Sequence, residues 1–599
     1  MEKQKLRSEI EDKYKWDLTP IYKTEEDFYK DLEIAKSEIE KINNYKNLLD
    51  SSKKLLEYLE YDEKTERLLY RLYYYAHLNH DSDTTNTKYQ SMVKNVTDIL
   101  TKYSELSSFV TPLFMKTDYS VIEKYMEEEP KLKEYEFNFK DMYRYQPHTL
   151  NENEEKILSI LSENLANPSN TYEALTDSDM EYGTIKTKDG KEVVMTDSNY
   201  HTYISSSNRD ERKQAFDMMF DTYAKYKNTI TSTYNGDVDA NINIAKLRKY
   251  DSARSHSLFG DNVSTSIYDN LIDTVSKNMK TNYKYYDLKK KVLKLDELHL
   301  YDVYADLVNG DNLNNYTFDE AKELVINALS VLGEDYITNL KKAFSERWID
   351  IYNNKGKRSG AYSSGFFDTK PYVLLNFEGK QNDVSTLAHE LGHSMHTYYS
   401  CKNNKYQYSS YNIFVAEVAS TVNELLLSKY MLKNSKSKEE KLYILNKLME
   451  LFRTTIFRQT MFAEFERDMY KLREDGNALT NDILCNHYLE LNKKYFGPGV
   501  AVDDKIKYEW MRIPHFYYGF YVYKYATGLS AACYIVDGIL NNKEKALDNY
   551  LKFLTTGGSM YPVDELKVAG VDIEDPKVVE SAINMFNSVI DEFNDLNKD

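Results

Sequence analysis

His389-Glu390-Leu391-Gly392-His393 sets two imidazoles four residues apart with a carboxylate between them. Residues i and i+4 of an α-helix share a face, so His389 and His393 direct ring nitrogens to one side, one turn apart. That spacing suits two corners of a zinc tetrahedron with bonds of about 2.0–2.1 Å. Glu390 is rotated roughly 100° from His389, within reach of a water at the open corner without being a ligand itself. With 11 histidines and 96 acidic residues in 599, a chance His-acid-x-x-His is expected only about 0.03 times.

A third ligand must come from elsewhere. A metzincin would continue with a glycine and a third histidine at fixed offsets, but His396 and Tyr399 occupy those places and exclude that class. Downstream, Phe414-Val415-Ala416-Glu417-Val418-Ala419-Ser420-Thr421-Val422-Asn423-Glu424 reads as a helix, with Glu417 24 residues after His393 (417 − 393), room for a loop and a return. His389, His393 and Glu417 with one corner open form the set of a catalytic zinc rather than a structural one. Glu424, seven residues on along the same face, is either a carboxylate that orients a ligand imidazole or an ordinary surface acid. His396 reads as packed or as a support behind the ligands, and the remaining histidines fall outside ligand spacings.

These residues need rigid carriers. Asp383 or Ser385 suits the cap of the histidine helix. Upstream, residues 356–377 interrupt the helical pattern with Gly, Ser and aromatics and lead into the strand-like Tyr372-Val373-Leu374-Leu375-Asn376-Phe377. From about 25 to 115, apolar positions such as Leu55, Leu59, Leu68, Leu69 and Leu72 recur at helical spacing. A break is expected near Asn167-Pro168-Ser169, followed by a β-hairpin over 183–194 around Asp189-Gly190. The blocks are read as an N-terminal helical region (1–115), a small subdomain with the hairpin (116–200) and a helical catalytic region (201–599).

The whole composition agrees with a mainly α protein: 10 Pro and 20 Gly in 599 residues leave long stretches unbroken. A net charge of 78 − 96 = −18 repels phosphate backbones and anionic membranes, which excludes nucleic acid as a partner. Cys401, Cys485 and Cys533 are odd in number without Cys-x-x-Cys spacing, which points to reduced thiols. No apolar run is long enough to span a membrane and no leader is recognisable, so a cytoplasmic protein is expected.

The histidine motif with Ala416-Glu417-Val418-Ala419-Ser420 resembles the thimet oligopeptidase family, most closely its oligoendopeptidase F branch. Further similarity lies in Tyr14-Lys15-Trp16-Asp17-Leu18, Lys357-Arg358-Ser359-Gly360-Ala361-Tyr362 and Ile513-Pro514-His515-Phe516-Tyr517, so it spans nearly the whole chain. The resemblance implies a two-lobed helical ellipsoid with a deep central channel, a small β element near the zinc helix, one Zn2+ ion, and short peptides as substrates. It also implies Glu390 as general base and the segment around Gly360 as a strand edge for substrate backbone.

The tyrosine spacing after His515 varies in the family, and Tyr517, Tyr518, Tyr521, Tyr523 and Tyr525 all follow it here. Pro514 suits a helix start, which would put His515, Tyr518 and Tyr525 on one face. As oxyanion donors His515 ranks first, then Tyr521, which depends on a bend at Gly519, then Tyr518. The chemistry expected is hydrolysis of internal peptide bonds by Glu-assisted attack of water. A dipeptidyl carboxypeptidase of the same family and a non-catalytic peptide-binding protein are the alternatives.

Overall fold

The computed structural model describes residues 4–308, 315–435 and 437–598. α-Helices dominate, with seven strands of two or three residues among the described residues. The chain packs as two units, each discontinuous in sequence. One comprises Met1–Thr149, Asn314–Leu427 and Ile535–Gly570, and the other Leu150–Leu313, Ser428–Tyr534 and Val571–Asp599. They cut across the sequential blocks 1–115, 116–200 and 201–599, because helices distant in sequence complete each core.

In the first unit a 31-residue helix, Ser52–Ser82, is capped by Ser51, whose hydroxyl accepts from the Lys54 N–H at 3.3 Å. Its Leu55, Leu69 and Leu72 are buried, and Leu59 and Leu68 pack against the same core. Each fully buried leucine contributes about 1.5–3 kcal/mol. A three-stranded sheet lies in this unit: Tyr372–Leu374 is central, parallel to Ile349–Asp350 and antiparallel to Tyr362–Ser364, with Ser363 opposite Val373. The expected strand 372–377 thus forms at its start and continues as extended backbone, the Leu375 and Phe377 N–H groups bonding to Asp350 and Ile351.

Lys357 and Arg358 bolt the outer strand in place. Lys357 Nζ lies 2.7 Å from the fully buried Asp350, which Arg7 also pairs, and Arg358 and the Tyr362 hydroxyl both reach Asp81 on the long helix. The histidine helix, Gln381–Asn403, begins earlier than expected. Neither Asp383 nor Ser385 is its cap: Asp383 sits in the first turn and accepts from the N–H groups of Glu378 and Lys380, both at 2.9 Å. An acid satisfies orphan donors from inside the first turn as well as from the cap.

In the second unit the hairpin pairs Thr184–Lys186 with Glu192–Val194, and Gly190 supplies the positive φ (+77°) of its turn. No break occurs at Pro168, which lies inside the helix Glu152–Ala174. Proline ordinarily disrupts a helix through its missing N–H and its ring. Here the ring packs onto Gly236 of the helix Lys227–Leu247, where an added Cβ would stand 3.0 Å from the proline Cγ, so close packing outweighs the local preference. The helix expected from Pro514 is also not continuous. Pro514–Tyr517 is a short 3-10 turn, Gly519 and Phe520 have φ of +57° and +54°, and the α-helix starts only at Tyr523.

Candidate metal centre

The histidine helix is held by a buried apolar face, Val384, Leu387, Ala388, Leu391 and Met395. The same helical period carries His389 and His393 around to the helix Ile413–Asn434. Gly392 sets how near the two helices come: a Cβ there would lie 2.5 Å from Ser420 Cα and 2.6 Å from the Ala419 carbonyl oxygen. Only glycine fits that crossing. Asn423, fully buried, donates to the Ala388 carbonyl at 3.1 Å and accepts from the Tyr336 hydroxyl at 3.2 Å, fixing the register of the two helices.

The crossing brings three donor atoms together. His389 Nε2 and His393 Nε2 are 3.2 Å apart, and Glu417 Oε2 is 3.5 and 3.6 Å from them. Four ligands at about 2.0–2.1 Å from a tetrahedral ion are separated by about 3.3–3.4 Å, so the donor set fits such an ion by geometry and chemistry. Glu424 bonds to His389 Nδ1, which leaves Nε2 as the free nitrogen and raises its basicity. Of the two readings of Glu424, the supporting one matches the structure. Ser420 Oγ donates to Glu417 Oε2 at 3.1 Å, and the backbone at Ala416 bonds to the His393 ring.

Glu390 is 6 % exposed. Burial, with the nearby Glu417 and Glu424 charges, pushes its carboxyl up to about 7 against the opposing pull of His389 and a bond from the Ser363 backbone. A carboxylate in that range both accepts and returns a proton near neutrality. His396 is a packed residue: it is fully buried, stacks on Tyr411 at 3.7 Å, and burial drives its ring down to about 3, so it stays neutral.

In the second unit His515, Tyr521 and Tyr525 cluster. His515 Nε2 is 3.2 Å from the Tyr525 hydroxyl, and the ring centroids of His515 and Tyr521 are 6.3 Å apart. Burial lowers the His515 pKa, which favours a neutral imidazole. Tyr518 is 53 % exposed, its ring 5.5 Å from that of His515. Tyr517 stacks on Tyr172 and bonds to Thr233, and Tyr523 is buried, so these two belong to packing. The turn is held by buried Glu466, which accepts the Phe520 N–H at 2.7 Å, and by Ser257, which donates to the Gly519 carbonyl at 2.8 Å.

Sequence reasoning overlooked Ser420, Asn423 and Gly392. Ser420 stands three residues after Glu417 on the same helical face, a signal that was available. Asn423 and Gly392 act through a helix crossing and left none.

Residues 202–585 match the profile of peptidase family M3, and residues 114–182 match that of oligopeptidase F. Oligopeptidase PepF of Bacillus subtilis is 42 % identical over 591 residues, covering 98 % of this chain and 88 % of the relative. Group B oligopeptidase PepB of Streptococcus agalactiae is 38 % identical over 98 % of both chains. The crystal structure of oligoendopeptidase-F from Enterococcus faecium superposes with a TM-score of 0.74 at 32 % identity, covering 96 % of this chain and 99 % of that one. With the helix crossing that gathers His389, His393 and Glu417, these similarities establish that this chain belongs to peptidase family M3.

Proposed function

We propose that this chain is a zinc-dependent oligoendopeptidase that hydrolyses internal bonds of short peptides. The observation that carries the reading is the set of three donor atoms 3.2–3.6 Å apart with buried Glu390 beside them. His389 Nε2, His393 Nε2 and Glu417 Oε2 would hold one Zn2+, which when bound supplies Lewis acidity toward a water and a peptide carbonyl. Glu390 takes the proton of the attacking water on its carboxylate and delivers it to the amine as the C–N bond breaks. Glu424 and Ser420 keep the ligands aimed. The backbone of the outer strand Tyr362–Ser364 pairs with the peptide, and His515, with Tyr521 and then Tyr518 as further donors, hydrogen-bonds the oxygen that becomes negative.

Short peptides as substrates follow from the oligopeptidases that this chain resembles. Three cysteines without disulfides support a cytoplasmic setting, and among the described residues no helix is long and apolar enough to cross a membrane. The test is cleavage of a quenched fluorescent peptide together with the metal content of the same sample. Chelation should abolish turnover and Zn2+ should restore it. Cleavage unaffected by removal of all metal would overturn the reading. Amidating the peptide C-terminus should leave cleavage intact, whereas an absolute need for a free carboxylate would assign the chain to the carboxypeptidase alternative.

A further inference from the structure

A cavity of about 590 Å³ in the first unit is lined by the helix Ser52–Ser82, by residues of 100–142 and by Tyr406 and Gln407. Two carboxylates one helical turn apart, Asp62 and Glu66, face into it. Among the described residues Asp62 bonds only to the hydroxyls of Tyr58 and Tyr103, and Glu66 only to the Tyr406 hydroxyl at 3.2 Å. Their neighbour Glu63 has Arg67 at 3.2 Å, but neither Asp62 nor Glu66 has a basic partner among the described residues, and no Lys, Arg or His lines the cavity. Burial raises both carboxyls, Glu66 to about 7 with Asp62 adding to the effect.

Asn138 and Gln407 also line the cavity. A desolvated carboxylate is ordinarily paired, and here two carboxylates on one helix face a space lined by no Lys, Arg or His. Tyr58, Tyr103, Tyr135 and Tyr406 also line it, residues whose rings attract a cation through the ring quadrupole. A second recess, of about 480 Å³, shares Glu66, Tyr70, Tyr406 and Gln407 with the first and extends to Ser363 and Ser364 of the outer strand. Substrate backbone is proposed to lie along that strand.

We propose that the first cavity is a binding site for a primary ammonium or guanidinium group, with Glu66 and Asp62 as counter-ions and the tyrosines as an aromatic collar. The continuity with the outer strand assigns the cation to a lysine or arginine side chain of a bound peptide, an assignment that rests on the peptidase reading. The site itself does not, since a free amine of the same chemistry fits it.

The test uses the full chain in two arms. In the first, binding of 1,4-diaminobutane at low salt is measured by calorimetry, without reference to turnover. Wild type should bind, and Glu66→Gln and Tyr406→Phe should each weaken binding, Glu66→Gln by about tenfold, the scale of a hydrogen bond to a charged group. In the second, lysine replaces norleucine at successive positions of one peptide. At one position lysine should lower KM with kcat little changed, and in Glu66→Gln the lysine-to-norleucine ratio of kcat/KM should fall toward one. Amine binding without discrimination between the peptides would keep the cation site and assign it to free amines. If wild type binds the diamine no better than Glu66→Gln and Tyr406→Phe, and treats the two peptides alike, the proposal is wrong. Failure to cleave any peptide leaves the first arm decisive.

Discussion

His389 and His393 sit on one uninterrupted helix, whereas His515 and Tyr521 are separated by a turn in which Gly519 and Phe520 both have positive φ. In the first region helical spacing transmits position directly: two ring nitrogens 3.2 Å apart follow from residues four apart. In the second, spacing transmits nothing past Tyr517. A left-handed bulky residue such as Phe520 costs of order 1–3 kcal/mol. It persists because Glu466 accepts its N–H and its ring packs on Tyr470 at 4.6 Å. A motif on a regular element can therefore be read from sequence, whereas a cluster assembled by a strained turn belongs to its neighbours.

Six substitutions break or sharpen this contrast. The largest effect is expected from Glu390→Gln, which keeps shape and metal but removes the proton acceptor and should lower kcat by about 10²–10⁴-fold. Metal content by mass spectrometry should match wild type, and retained turnover removes Glu390 from the mechanism. The pH profile sharpens the point. Glu390 acts only when ionised and burial raises its pKa to about 7, so kcat/KM should fall as pH drops below that value. A bound cation favours the carboxylate and draws this limb to lower pH, and Glu390→Gln should lack the limb altogether.

His515→Ala should lower kcat by about 10²–10³-fold, the scale of a lost oxyanion donor, with metal content unchanged. Tyr521→Phe and Tyr518→Phe, each measured alone, rank the phenols. A loss confined to KM would make His515 a positioning residue, and no change in either constant would make the turn purely structural.

Glu424→Gln should weaken metal affinity about 10–100-fold, because the amide no longer supports His389 Nδ1 as a carboxylate does. Competition against a chelator reads this without turnover, and an affinity equal to wild type would return Glu424 to the role of a surface acid. The smallest effect is expected from Gly392→Ala. The added methyl meets backbone at 2.5 Å, so the helices must separate, at about 1–3 kcal/mol of stability and with weaker metal binding. A thermal midpoint and metal affinity both equal to wild type would show that the crossing is slack.

Much of this protein was legible in the chain. Scarce proline and glycine with apolar residues at period 3.6 gave helices, and alternation around Asp189-Gly190 gave the hairpin, because both patterns are local consequences of side-chain direction. The pair His389 and His393 with Glu390 beside it was legible for the same reason. Tertiary structure alone decided the rest. Pro168 remains helical because Gly236 makes room for its ring, and the histidine helix starts at Gln381 because Asp383 satisfies backbone donors from within the first turn. Glu417 reaches the histidines because Gly392 admits a neighbouring backbone and Asn423 fixes the register. Periodicity records which face of an element is buried. The distance of closest approach between two elements depends on atoms that the sequence places far apart, and only the folded chain brings them into contact.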